Sequence, residues 1–150
     1  MKKESLYLET SVISAYFDER DPNRLEFTRV LWKKLHNYVV TVSKIVLSEL
    51  AAIGDDDLRS KALGLTKGFA KLNIGPEEEF LGDEYIKEGV IPARYRNDVL
   101  QIAVASTNVI DFMVSWNLEH IVKVKTRRMV NLINAKYGYK PIEIVTPSEL

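Results

Sequence analysis

Short apolar segments of β type alternate with amphipathic helical segments along the chain, and this alternation is the strongest constraint on its fold. The first apolar segment covers residues 6–8, a segment with helical spacing covers residues 20–37, and the β-branched run "YVVTVS" covers residues 38–43. Parallel neighbouring strands need helical crossovers, whereas antiparallel neighbours need only short turns. The alternation therefore predicts an α/β fold with a mainly parallel central sheet.

The remaining elements follow the same order. Pro22 suits the first turn of a helix, and Ser43 is a candidate N-cap for a helix over residues 44–53. Asn97 is the candidate N-cap of a further helix, with Asp98 in its first turn. Other helices are predicted over residues 55–72, 76–89 and 126–138, and other strands over residues 72–75, 109–116 and 141–147.

The composition is that of an ordinary globular protein. With 150 residues and 46% hydrophobic side chains, the chain is expected to form a single domain over residues 1–150. Lys plus Arg and Asp plus Glu number 21 each, so no global positive charge indicates a polyanionic partner. There is no cysteine, which excludes disulfides and thiolate zinc sites. Neither a signal peptide nor a membrane span is visible, and we expect a soluble cytoplasmic protein.

Acidic and amide side chains occur where the predicted strands end. Glu9 follows the first strand, Glu49 lies on the helix after the second, and Asn117 follows the strand "VIDFMVSW". Asp98 opens a helix. Ligands of open parallel sheets bind beyond the carboxyl ends of the strands, so this topology predicts that the four side chains meet in one cleft.

Such a cluster suits a hard divalent cation. Carboxylates held close together repel each other and raise at least one pKa unless a cation neutralises them. Mg²⁺ or Mn²⁺ prefers oxygen ligands and activates water for attack on a phosphodiester. The hydroxyls of Thr10 and Ser115 are candidates for orienting the carboxylates. A basic run follows the strand predicted over residues 109–116 and contains Lys123, Lys125, Arg127 and Arg128. It is either a surface that contacts RNA phosphates or a solvent-exposed helix start.

Four segments carry a resemblance to a known family. "LYLETSVIS", "TVSKIVLSEL", "RNDVLQIAVAS" and "IDFMVSWN" resemble, in order and surroundings, the active-site blocks of PIN-domain proteins, which include the VapC-type toxins of toxin–antitoxin pairs. The resemblance implies a PIN-like three-layer α/β/α sandwich and a Mg²⁺- or Mn²⁺-dependent endoribonuclease acting on RNA. It also implies homodimers and an antitoxin partner. The family's acidic metal ligands fall on Glu9, Glu49 and Asp98, and its fourth catalytic position falls on Asn117.

The chain departs from the family pattern at two of these positions. The first block usually carries aspartate where this chain has Glu9, and the fourth commonly carries aspartate where this chain has Asn117. One extra methylene moves a carboxylate by about 1.5 Å, and Mg²⁺ demands near-ideal octahedral geometry. The alternative function is therefore a catalytically impaired PIN-like domain that binds RNA or a protein.

Overall fold

The computed structural model describes residues 2–150 and contains a five-stranded sheet in which every pair of neighbours is parallel. The spatial order of the strands is β3-β2-β1-β4-β5. The central strand pairs with β2 on one side and β4 on the other, so the chain order reverses there and leaves a crevice at its carboxyl end. The strands are β1 (Ser5–Leu8), β2 (Val39–Ser43), β3 (Ala70–Leu72), β4 (Phe112–Val114) and β5 (Glu143–Val145).

The helices form two groups. The four helices of the first half pack against one another, and those of the second half do the same. Right-handed crossovers place the two groups on opposite faces of the sheet, which confirms the predicted α/β/α sandwich. The helices are α1 (Thr10–Ala15), α2 (Pro22–Lys34), α3 (Lys44–Ala51), α4 (Asp56–Leu65), α5 (Pro76–Lys87), α6 (Arg96–Thr107) and α7 (Val124–Lys136), with 3₁₀ turns at Leu35–Asn37, Ala93–Tyr95 and Pro147–Glu149.

The core is built around β1 and α6. The side chains of Leu6, Tyr7 and Leu8 are all buried, because β1 has a strand on each side and helices above and below it. Helix α6 is buried continuously from Val99 to Ser106, as expected for a helix that is apolar on most of its surface. Within residues 2–150, no helix is long and apolar enough to cross a membrane.

Several sequence predictions hold at the level of single residues. Pro22 is the first residue of α2, and Ser43 caps α3 by accepting a hydrogen bond from the Ile45 N–H at 3.2 Å. The sequence favours core positions for Phe112, Met113 and Trp116; Met113 and Trp116 are buried, and Phe112 is half-buried. Each of these outcomes depends on local chemistry, namely the fixed φ of proline, the side-chain oxygen of serine, and apolar surface.

Other predictions are wrong. The helix predicted over residues 55–72 ends at Leu65, and residues 70–72 instead form β3, so the strand predicted over residues 72–75 lies two residues too late. Parallel pairing of Ala70 with Thr41 decides this, and glycines at 64 and 68 weaken the competing helix. Asn97 is not an N-cap, because α6 continues directly from the preceding 3₁₀ turn and its N-cap is Tyr95.

Val109 occupies a strained backbone conformation just beyond α6. Its φ is +57°, and its N–H donates to the Ser106 carbonyl at 3.1 Å in the position where helices usually end on glycine. The left-handed conformation costs an L-residue about 1–2 kcal/mol, and β-branching makes it rarer still. The residue is 55% exposed, so the packing of its side chain offsets little of that conformational cost.

We expect Val109→Gly to raise the free energy of unfolding by about 1 kcal/mol, since the relief of strain exceeds the extra chain entropy of glycine. Urea denaturation monitored by circular dichroism measures the change. Val124→Gly is the control, because Val124 is equally exposed but begins α7 with ordinary helical geometry, and it should not stabilise the protein. Unchanged or lower stability of Val109→Gly would contradict the assignment of strain.

Candidate active site

The candidate site lies at the carboxyl ends of three adjacent strands. Glu9 directly follows β1, and Asn117 lies three residues beyond the end of β4. Helix α3, which directly follows β2, carries Glu49, while Asp98 lies in the first turn of α6. The topology thus delivers all four predicted side chains to the same edge of the sheet.

Glu9 is buried and fully hydrogen-bonded. It is only 5% exposed and serves as the N-cap of α1, where Oε2 accepts from the Ser11 N–H at 3.1 Å. Its Oε1 accepts from the Ser11 hydroxyl at 2.5 Å and from the Ser115 hydroxyl at 2.6 Å. The carboxylate at the end of the central strand therefore joins β1, α1 and the segment after β4.

Glu49 is held by a chain of polar groups that runs into the core. Its Oε1 accepts from the Thr10 hydroxyl at 2.6 Å and from the Gln101 amide at 3.0 Å. Gln101 is completely buried, and its carbonyl accepts from the Tyr7 hydroxyl at 2.9 Å. Because Tyr7 donates to Gln101, the Ser43 hydroxyl at 2.8 Å is the donor of the next bond.

Asp98 is paired with an amide and an imidazole. Its Oδ2 accepts from the Asn117 amide at 3.3 Å and lies 3.1 Å from Nδ1 of His120. Asn117 also serves the turn, since its Oδ1 accepts from the His120 N–H at 2.9 Å. The Tyr95 ring packs on the imidazole with 4.0 Å between centroids. Asp98 is thus a partly buried carboxylate with two side-chain partners.

Hydrogen bonds join these groups into two networks that meet at the adjacent residues Glu9 and Thr10. In the first, the Ser115 hydroxyl contacts Glu9 and accepts from the Asn117 N–H at 2.9 Å, and Asn117 in turn reaches Asp98. In the second, Thr10 reaches Glu49. Together the two networks contain all six side chains that the sequence places at or beside the site, although their assignment as catalytic residues and metal ligands stays a prediction.

The basic run of residues 123–128 lies outside both networks. Within residues 2–150, none of its side chains forms an ion pair with an acid, and Arg127 instead lines a groove beside β5 together with Asn131 and Val145. The start of α7 nevertheless reaches the site, because the Thr126 hydroxyl donates to the His120 carbonyl at 2.6 Å. RNA contact by Lys123, Lys125, Arg127 and Arg128 stays a prediction.

The electrostatics of the site reflect uncompensated negative charge. Burial raises the pKa of the Glu9 carboxyl, hydrogen bonds from Ser11 and Ser115 oppose that rise, and the negative charge of Asp98 adds to it. Burial also raises the pKa of the Tyr7 phenol well above its usual value, and the charges of Glu9 and Glu49 contribute in the same direction. A bound cation would relieve this repulsion.

The donor chemistry of the site fits Mg²⁺ or Mn²⁺, since its three carboxylates, its amide and its hydroxyls offer hard oxygen ligands. The side-chain arrangement is less favourable. In the part of the chain that the structure describes, no group of three or more Asp, Glu or His residues is placed to hold a metal ion. Each acid is instead turned toward its own protein donors, so an ion would have to compete with those hydrogen bonds.

The sequence analysis does not identify several residues of the two networks. Gln101 lies three residues after Asp98, a spacing that places two side chains on the same side of a helix, so that signal was present. Ser11 adjoins Glu9 and Thr10 and was equally visible. No local sequence pattern predicts the role of His120, because a lone histidine is more often structural. Its contact with Asp98 joins residues that are 22 positions apart.

The chain resembles known proteins in structure but not in sequence. No protein-family model and no curated protein matches it. VapBC2 from Rickettsia felis, bound to a DNA fragment from its promoter, is 13% identical with a TM-score of 0.59, covering 95% of this chain and 98% of the matched chain. VapC20 from Mycobacterium tuberculosis, a sarcin–ricin loop cleaving toxin, is 19% identical with a TM-score of 0.58, covering 72% and 86%.

A third solved structure is VapBC-5 from Mycobacterium tuberculosis, a member of the VapBC family of toxin–antitoxin systems. It is 17% identical with a TM-score of 0.50, and the match covers 95% of this chain and 98% of the other. Similarity at such low identity shows the fold. The resemblance seen in the four sequence segments is therefore confirmed at the level of the PIN-like fold shared with these VapC-type proteins.

The raised pKa of Glu9 gives the stability of the metal-free protein a defined pH dependence. The folded state holds the Glu9 proton more tightly than the unfolded chain does, so this residue's contribution to the free energy of unfolding falls as pH rises above 4.5 through the raised pKa. We expect wild type to lose stability relative to Glu9→Gln over that range. Urea denaturation at several pH values in EDTA measures the difference, and Glu26→Gln, an exposed site on α2, is the control. A difference that grows in favour of wild type with rising pH would contradict the burial cost.

Proposed function

We propose that this protein is a metal-dependent endoribonuclease that hydrolyses RNA phosphodiester bonds and acts as the toxin of a type II toxin–antitoxin pair. The observation that carries the proposal is the convergence of Glu9, Glu49, Asp98 and Asn117 at the carboxyl ends of β1, β2 and β4, in two hydrogen-bonded networks that meet at Glu9 and Thr10. The similar fold of VapC20, a toxin that cleaves the sarcin–ricin loop, supports RNA as the substrate. The similar fold of VapBC-5 supports an antitoxin partner.

In this proposal the side chains have separate roles. Glu9, Glu49 and Asp98 would hold a divalent cation, which supplies an activated water and neutralises charge on the phosphate. Ser11 and Ser115 hold the Glu9 carboxylate in place. The remaining partners orient the other two acids, with Thr10 and Gln101 acting on Glu49, and Asn117 and His120 acting on Asp98. No separate general base is assigned among these residues, because the cation would supply the chemistry that activates water.

The second candidate is a catalytically impaired PIN-like domain that binds RNA or a protein. The observation that favours it is that each acid already has protein hydrogen-bond donors, and that the longer side chain of Glu9 bonds to Ser11 and Ser115. A carboxylate saturated in this way has less to gain from a metal ion. Nuclease activity and metal binding separate the two candidates.

Asp98→Asn should abolish Mn²⁺-dependent cleavage of single-stranded RNA while leaving the fold intact. Loss of a residue that merely orients a ligand costs about 10–100-fold in activity, so loss of a ligand should exceed about 100-fold. Asp57→Asn makes the same chemical change at an exposed ion pair on α4 and should cleave like wild type. Cleavage by Asp98→Asn at the wild-type rate would remove this residue from the mechanism.

Calorimetric titration with Mn²⁺ tests whether glutamate at position 9 supports a working site. The nuclease proposal expects wild type to bind Mn²⁺, with Glu9→Asp changing the affinity by less than about tenfold, since a carboxylate is retained. Glu26→Asp on the exposed face of α2 is the matched control. If wild type fails to bind Mn²⁺ and Glu9→Asp acquires binding, the impaired-domain candidate is correct.

A further inference from the structure

A groove of about 490 Å³ opens directly beside the acidic network, between α1 and the start of α2. It shares Ser11 with the network, because the Ser11 hydroxyl donates to Glu9 and accepts from the Trp116 N–H at 2.9 Å. The groove therefore shares one residue, Ser11, with the surroundings of the proposed cleavage site. Its charged and aromatic lining consists of Asp18, Arg20, Asp21, Arg24 and Trp116.

One guanidinium in this groove is held in position by a fixed aromatic ring. The Arg24 guanidinium carbon lies 5.2 Å from the centroid of the Trp116 ring. That ring is itself anchored, since its indole N–H donates to the Thr28 hydroxyl at 2.9 Å and the residue is only 8% exposed. A guanidinium stacked on a rigid ring is pre-organised, so it loses little side-chain entropy when it binds an anion.

The hydrogen-bonding capacity of Arg24 is largely unused. The neighbouring Arg20 donates twice to Asp18, at 2.9 and 3.0 Å. By contrast, the Arg24 guanidinium makes no hydrogen bond within residues 2–150, although its Nε forms an ion pair at 3.4 Å with Asp21, the N-cap of α2. The side chain is 41% exposed. Arg24 thus presents an accessible, positioned fork of donors next to the site.

We propose that Arg24 binds a backbone phosphate of the RNA substrate, next to the scissile bond, and so positions the strand across the acidic site. This inference rests on the proposed nuclease function. The planar guanidinium matches phosphate oxygens bidentately, and the chain has no net charge, so individual cations beside the acids decide where a polyanion binds. RNA is favoured over an acidic peptide because Ser11, which lines the groove, also donates a hydrogen bond to Glu9, a residue assigned to phosphodiester cleavage.

The test compares Arg24→Gln with Arg29→Gln. Arg29 is the matched control, since it lies on the same helix and also stacks on an aromatic ring, 5.1 Å from the centroid of Tyr16, but does not line the groove. Single-turnover cleavage of a fluorescent mixed-sequence RNA with Mn²⁺ separates the half-saturating protein concentration from the maximal rate. Fluorescence anisotropy in EDTA measures RNA binding independently of cleavage, and circular dichroism checks that the variants are folded.

For Arg24→Gln we expect the half-saturating concentration to rise about tenfold while the maximal rate stays within about twofold, because one charge-assisted contact is lost from binding. The slope of log affinity against log salt should fall by about 0.7, as for one phosphate contact to a single strand. Arg24→Lys should recover part of the affinity, and Arg29→Gln should match wild type.

The outcomes distinguish this inference from the proposed function. If wild type binds or cleaves RNA and Arg24→Gln behaves like Arg29→Gln, the role of Arg24 is wrong. If wild type neither binds nor cleaves RNA, the proposed function itself is wrong and the inference falls with it. If Arg24→Gln keeps wild-type RNA affinity but loses binding to a polyglutamate peptide, the groove is a protein-binding surface and the inference is overturned.

Discussion

The site depends on the junction between β1 and α1, where the buried carboxylate of Glu9 directly follows the central strand. Glu9 caps α1 through the Ser11 N–H and accepts from the hydroxyl of Ser115, which follows β4. A side chain of five per cent exposure thereby links two adjacent strands and the first helix. Since Ser115 also accepts from the Asn117 N–H, the same junction sets the backbone that carries the fourth side chain of the site.

This junction carries an electrostatic cost that the rest of the chain must offset. A buried carboxylate next to Asp98 has a raised pKa, and three hydrogen bonds recover only part of the hydration that it loses. The offset comes from the apolar core around β1 and α6, where Leu6, Leu8 and Ile102 are completely buried. Stability elsewhere thus permits a buried carboxylate next to a second acid.

The sequence predicts much of this architecture because its strongest signals are local. Alternating segments indicate the parallel sheet, and Ser43 caps its helix as its side chain suggests. The strand at residues 70–72 was not predictable in this way, since its formation depends on pairing with Thr41 and its neighbours, far away in sequence. The contact of His120 with Asp98 was equally hidden, because it joins residues 22 positions apart.

The extra methylene of Glu9 determines where its carboxylate lies in this structure. It extends the carboxylate by about 1.5 Å, and the extended group receives a main-chain N–H on one oxygen and two hydroxyls on the other. One of those hydroxyls, from Ser11, also borders the groove in which Trp116 supports Arg24. Glutamate therefore couples the acidic network to its cationic neighbour through a single serine. In the proposed function the two features would have separate roles, since the acids would bind a cation and the arginine would bind the phosphate that the cation must reach.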